Sequence, residues 1–236
     1  MVTHMENILE CSHVVKKYGS ILALSGLDLC LPKGRIIGLL GPNGSGKTTL
    51  IKLIAGLLQP NDGTITVNGT PVGEKTKAMV SYLPERNYIP RHLKVSQIID
   101  YFADFYKDFR RDRACDMLQS LNINPNSKIK TLSKGTLEKV QLILVMSREA
   151  QLYLLDEPIA GVDPAARDYI LNTIISNYNP SASVIISTHL ISDIENILDD
   201  VVMIRNGALV LAGNADDIRA DKGMSIDELF REVFRC

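Results

Sequence analysis

Hydrophobic residues recur along this chain in three rhythms, and each predicts a different kind of element. Near the N-terminus the period is two. Leu27, Leu29 and Leu31 alternate with Asp28 and Cys30, and Ile65 and Val67 alternate with Thr64 and Thr66, which predicts strands with one face buried. Residues 8–15 add another strand, and strands this short and closely spaced predict a small antiparallel sheet. Elsewhere the apolar runs are nearly unbroken, over residues 35–40, 152–155 and 184–187, as expected of strands covered on both faces. A shorter strand over 80–83 stops at Pro84. The third rhythm is helical. Leu50, Leu53 and Ile54 share a face; Val95, Ile98, Ile99, Phe102, Phe105, Tyr106 and Phe109 recur at helical spacing; Ala114, Met117, Leu118 and Leu121 follow. Helices are also predicted over 140–146, 165–175, 190–198 and 225–234.

From Arg35 onward strands and helices alternate, which predicts an α/β core around a mainly parallel sheet. The N-terminal strands form an antiparallel β subdomain beside it, and residues 85–132 read as an inserted α-helical subdomain. Asn206-Gly207 marks a tight hairpin between 201–204 and 208–211. At 236 residues the chain could be one large domain or two small ones. The aromatic stripe of residues 95–109 reads as core packing rather than a ligand box. The basic run Arg110-Arg111-Asp112-Arg113 reads as a solvated helix start.

Composition narrows the class further. Hydrophobic residues are 45% and charged residues 22%, with 26 basic against 27 acidic side chains and a net charge of −1, so no global basic field points to nucleic acid. No apolar run approaches the ~20 residues of a membrane span, and the first residues lack the pattern of a signal peptide. Cys11, Cys30, Cys115 and Cys236 are widely spaced with no C-x-x-C pair, as expected of reduced thiols rather than a zinc site. These features predict a cytoplasmic, globular protein.

The chemistry gathers in four places. Gly41-Pro42-Asn43-Gly44-Ser45-Gly46-Lys47-Thr48-Thr49 fits G-x-x-x-x-G-K-[ST] between a predicted strand and a predicted helix, the context that motif needs. Glycines let successive N–H groups converge, and the helix N-terminus adds partial positive charge there. Lys47 would reach the β- and γ-phosphates of a nucleotide, and Thr48 would hold Mg²⁺. Second, residues 152–155 deliver Asp156 and Glu157, two carboxylates that are costly at the end of a buried strand unless they have partners. Asp156 would hold Mg²⁺ and Glu157 would polarise an attacking water. Third, Ser187-Thr188-His189 ends the next apolar strand, where a doubly wound sheet collects its ligand groups, so His189 is expected near Glu157. Fourth, Leu132-Ser133-Lys134-Gly135-Thr136 precedes a helix; alone it reads as an N-cap.

In this order, over roughly residues 6–213, the four stretches resemble the ATP-binding subunit of ABC transporters. Residues 41–48 match the Walker A motif, and Leu154-Leu155-Asp156-Glu157 matches Walker B with its adjoining glutamate. Residues 132–136 take the place of the LSGGQ signature, with Lys134 for a glycine and Thr136 for the glutamine. Gly161-Val162-Asp163-Pro164 resembles the D-loop, and His189 the switch histidine. Tyr18 resembles the aromatic that stacks on adenine. Glu85 stands where that family carries the Q-loop glutamine, a change that leaves its role as a Mg²⁺ or water ligand open.

The resemblance implies one domain over residues 6–213, with a short helical tail over 214–236. It also implies a phosphate-loop NTPase (RecA-like) core and a cycle that neither chain completes alone. Two ATP-binding chains, identical or not, would pair head to tail. Ser133 and Gly135 of one would cap the γ-phosphate held by Lys47 and Thr48 of the other, and His189 would bridge toward the partner's Asp163 loop. The chain would bind ATP and Mg²⁺, dock on a separate membrane-spanning permease through its helical subdomain and residues 85–93, and sit at the inner face of the membrane. Lys134 and the sequence Tyr82-Leu83-Pro84-Glu85 are similar to the exporter branch. The alternatives are a soluble ATPase of this family acting on ribosomes or DNA, and a regulatory nucleotide-binding subunit with impaired hydrolysis.

Overall fold

The computed structural model describes residues 6–160, 162, 164–179 and 181–235, with side chains for all of these except 164–166 and 169. The elements run β1 (Asn7–Tyr18), β2 (Ile21–Pro32), β3 (Ile36–Leu40), α1 (Lys47–Ile54), β4 (Asp62–Val67), β5 (Thr70–Pro71), α2 (Glu74–Lys77) and β6 (Val80–Leu83). A helical stretch follows, with α3 (Val95–Phe105), α4 (Arg111–Ser120) and α5 (Lys134–Met146). The chain then returns through β7 (Leu152–Asp156), α6 (Pro164–Asn177), β8 (Ser183–Thr188), α7 (Ile191–Ile194), β9 (Asp200–Arg205), β10 (Ala208–Asn214), α8 (Ala215–Lys222) and α9 (Ile226–Val233).

The strands form two sheets. The antiparallel one has the order β2-β1-β4-β5 and the larger one β10-β9-β3-β8-β7-β6. In the larger sheet every neighbouring pair is parallel except β9 with β10. This is the α/β core with a separate antiparallel subdomain that the apolar rhythms predict.

Side-chain alternation in the central strands explains why the unbroken apolar runs are needed. Ile37, Leu39, Leu152, Leu154, Ile185, Val202 and Ile204 face a core shared with α1 and the antiparallel sheet. Their sequence neighbours Ile36, Leu40, Tyr153, Leu155, Val184, Ile186, Val201 and Met203 face a second core shared with the helices. Each strand therefore spends its odd and even positions on different cores.

Two departures from the sequence reading have local causes. Helix α3 ends at Phe105, Tyr106 has extended backbone, and Phe109 pairs with Arg148 in an isolated antiparallel bridge. Phe102 and Phe109 are buried, whereas Phe105 is 65% exposed and stacks on Tyr101 at 6.2 Å. The stripe is thus mostly core, with Phe105 turned outward. The tail holds two helices rather than one. Asn214 caps α8 by accepting the N–H groups of Asp216 and Asp217, and Gly223 closes it in a left-handed conformation. A reciprocal Ser225–Glu228 capping box then starts α9. Ile226 and Leu229 enter the helical-side core, so this segment packs on the body. Among the described residues no helix is long and apolar enough to cross a membrane.

Candidate active site

The loop between β3 and α1 is shaped by what surrounds it. Gly46 caps α1 with φ 111°, and a Cβ there would lie 2.6 Å from the Ala23 carbonyl oxygen, so only glycine fits. Helix α1 opens with Lys47 and Thr48, which places their side chains at the positive end of the helix. Lys47 is almost fully buried, and its Nζ donates to the carbonyl oxygens of Gly41 at 2.7 Å and Pro42 at 3.2 Å. Burial pushes the Lys47 ammonium below its ordinary range, while Glu157, Asp156 and Glu85 pull it back up. A phosphate would do the same more strongly.

Parallel pairing brings the acidic strand end to this loop. In register, Asp156 of β7 lies beside Ser187 of β8. Asp156 Oδ1 accepts hydrogen bonds from Ser187 Oγ at 2.7 Å and Thr48 Oγ1 at 3.0 Å. Its other oxygen, Oδ2, is buried without a hydrogen-bond partner. Burial raises the Asp156 carboxyl above its ordinary value, with the Ser187 and Thr48 hydrogen bonds opposing that shift. A buried carboxylate oxygen left bare beside a threonine hydroxyl fits a hydrated divalent cation. No group of three or more His, Cys, Asp and Glu among the described residues could hold a metal alone, so Mg²⁺ here would complete its shell from phosphate oxygens and water.

Glu157 follows in a left-handed conformation, φ 52°. Its N–H is fixed by the Ser187 carbonyl at 3.0 Å and by Ser187 Oγ at 3.1 Å. The carboxylate oxygens lie 3.0 and 3.1 Å from His189 Nδ1. A non-glycine residue held at positive φ is costly, and here the twist aims the second carboxylate out of the sheet toward the cleft.

The cleft itself has a volume of about 400 Å³ and is walled by residues 43–49, Glu85, Glu157, Ala160 and His189, with Ile21, Leu22 and Ala23 of β2. The structure thus brings Asn43, Gly44, Ser45, Gly46, Lys47, Thr48, Thr49, Glu85, Glu157 and His189 together, with Asp156 beneath them. Glu85 also lines an adjoining cavity with Lys134, Glu138 and Gln141.

Gly41 and Pro42 do not line the cleft and reach it only through the carbonyls that hold Lys47, and three further predicted residues lie elsewhere. Tyr18, at the end of β1, is 45% exposed beside Lys16, whose Nζ is 5.4 Å from the ring centre; Ile21 and Leu22, rather than Tyr18, line the cleft. Ser133 caps α5, its Oγ accepting the Thr136 N–H at 3.2 Å, and Gly135 sits in the first turn with open space where a Cβ would be. Neither lines the cleft. Lys134 pairs loosely with Glu138 at 3.8 Å and points largely to solvent. Asp163 lies outside the described residues. The residue that sequence reasoning undervalued is Ser187: it tethers both acidic residues, and only the strand register reveals it.

Comparison with known proteins shows the family. Residues 24–160 match the family model described as ABC transporter. The chain is 32% identical over 221 residues to the uncharacterized ABC transporter ATP-binding protein YhaQ of Bacillus subtilis (strain 168), covering 92% of this chain and 74% of that one. It is 28% identical over 219 residues to the linearmycin resistance ATP-binding protein LnrL of the same strain, covering 89% and 70%. A solved ATP-binding subunit of an ABC transporter superposes with a TM-score of 0.87 at 28% identity, covering 97% of this chain and all of that one. The chain therefore belongs to the ATP-binding proteins of ABC transporters, the family that binds and hydrolyses ATP in transport.

Proposed function

We propose that this subunit hydrolyses MgATP in a site completed by a second ATP-binding subunit, and that it powers export through a separate membrane-spanning chain. The observation that carries the reading is a division of labour. Lys47, Thr48, Glu157 and His189 meet in one cleft with Asp156 beneath, whereas Ser133 and Gly135 open at the accessible start of α5 outside it. Head-to-tail pairing would let one chain's α5 start cap the other's γ-phosphate. The similarity to LnrL, named for linearmycin resistance, favours export, with this subunit docked on its permease at the inner face of the membrane.

In this reading Lys47 would exchange its loop carbonyls for phosphate oxygens, and Thr48 and Asp156 would hold the cation and its water. Mg²⁺ supplies charge neutralisation at the phosphates. Glu157 orients a water and takes its proton as the water oxygen bonds to the γ-phosphorus. The bond from that phosphorus to the bridging oxygen breaks, leaving ADP and phosphate. His189 holds Glu157 at 3.0 Å, and Asp163 would contribute from the partner side.

The test is ATP turnover by wild type and Glu157→Gln, with size-exclusion chromatography in MgATP. The expected outcome is a loss of about 100-fold or more in turnover and a dimer trapped by ATP in the variant. Wild-type turnover by Glu157→Gln, or a monomer at saturating ATP, would sink the proposal.

A further inference from the structure

A short two-stranded ribbon outside the cleft collects positive charge that no ion pair among the described residues answers. Lys94 and Lys128 pair in an antiparallel bridge. The Ile129 N–H donates to the Leu93 carbonyl at 2.8 Å, and the Val95 N–H donates to the Ser127 carbonyl at 3.0 Å. Counting along this register puts His92 opposite Lys130. The inward face carries Val95 and Ile129, both buried, and Leu93; the outward face carries His92, Lys94, Lys128 and Lys130, all exposed. Arg91, also exposed, sits at the ribbon's end, its carbonyl accepting the Lys130 N–H at 3.0 Å.

Like charges directly opposite one another on a strand pair destabilise it. Yet Lys94 faces Lys128, and among the described residues none of these five basic groups forms an ion pair. No Asp or Glu occurs in residues 86–99 or 117–137, although the chain as a whole carries a net charge of −1. The charge is therefore segregated onto this face. The apolar side chains of the ribbon point into the core, so it offers no groove for a partner helix. Long, exposed cations suit a diffuse negative surface instead.

We infer that the ribbon of residues 91–94 and 128–130 is a contact for an anionic lipid surface. It gives the ATP-binding subunit its own electrostatic hold on the bilayer beside its membrane-spanning partner. This rests on the reading above that the subunit works beside a separate membrane-spanning chain.

The test is co-sedimentation of the purified chain with vesicles of phosphatidylcholine alone and of phosphatidylcholine mixed with phosphatidylglycerol. Wild type is expected to bind only the mixed vesicles and to be released by about 0.5 M salt. The double variant K94E/K128E is expected to bind at least about tenfold less while retaining wild-type binding of a fluorescent ATP analogue, which shows that it is folded. Equal binding to both vesicle types, or full binding by the double variant, overturns the inference. So does absence of vesicle binding by wild type when the double variant loses only its association with a co-expressed membrane subunit, because the ribbon then reads an acidic protein segment. Vesicle binding is measured without hydrolysis, so a failure of the Glu157→Gln test leaves this result independently readable.

Discussion

Asp156 shows at one residue how the site sets function against stability. It is 1% exposed, one of its oxygens has no partner, and burial raises its carboxyl above the ordinary value. A carboxyl that titrates higher in the folded chain binds protons that the unfolded chain has already released. Its contribution to stability therefore falls as pH rises from about 4 through the raised folded value, and is level above that. Asp156→Asn removes the charge at nearly constant shape. It should raise the melting temperature of the nucleotide-free protein at neutral pH by about 2–4 °C, for about 1 kcal/mol, and flatten that part of the pH dependence. Turnover should fall by about two orders of magnitude, since the cation loses its anchor. Calorimetry across pH, paired with phosphate release, checks both; a lower melting temperature would mean that Asp156 is already well compensated. The sequence makes Asp156 and Glu157 legible because two carboxylates end an apolar run. It does not show that Ser187 ties them, since that contact exists only once β7 and β8 lie in register. Nor does it show that Ile21 and Leu22 wall the cleft beside an outward Tyr18.

At the scale of elements, the phosphate loop depends on a hairpin distant in sequence. The turn between β9 and β10 places Gly207 against the loop and β2. The Gly207 N–H donates to the Ser45 carbonyl at 2.9 Å, and the Gly207 carbonyl accepts the Ser25 N–H at 3.0 Å. Asn206 and Gly207 both have positive φ, 49° and 77°, as a tight hairpin turn requires. A Cβ on Gly207 would lie 2.6 Å from the Ala23 carbonyl oxygen and 2.8 Å from the Leu24 Cα. Gly207→Ala should therefore cost about 2 kcal/mol or more in stability. It should also weaken nucleotide binding, because relief of the clash moves the segment that braces Ser45. Urea unfolding and titration with a fluorescent nucleotide measure the two effects; a variant with wild-type affinity would show that the brace is dispensable. Asn206-Gly207 is legible as a turn from its residue types alone. Its service to the phosphate loop is not, because nothing in a local pattern states which distant backbone the turn will meet.

Across the whole molecule, the sheet separates two cores, and the helical stretch must be fastened to one side of it. Apolar periodicity accounts for the packing, but one buried cation does much of the joining. Arg148, 3% exposed, follows α5. Its guanidinium donates to the carbonyls of Val80 at 2.6 Å and Ala78 at 3.1 Å, at the start of β6. The same group pairs with Asp108 at 3.0 Å and lies 4.0 Å from the centre of the Tyr106 ring, both in the link between α3 and α4. One side chain thus spans the sheet and the helical stretch, and the Tyr153 hydroxyl locks its carbonyl from β7. From sequence a lone arginine between a helix and a strand reads as surface, which is why this contact is not legible there. Arg148→Ala would strand the Asp108 carboxylate and two buried carbonyls, a loss expected to cost about 3–5 kcal/mol. Asp108→Ala should cost less, since Arg148 keeps its backbone acceptors. A double-mutant cycle by urea unfolding should then show the two changes to be far from additive. Nucleotide binding by the folded fraction should persist, because Lys47 and Thr48 sit on α1 against the other core. Additive costs would mean that the two lobes are held by packing alone, and that any movement between them is free of this joint.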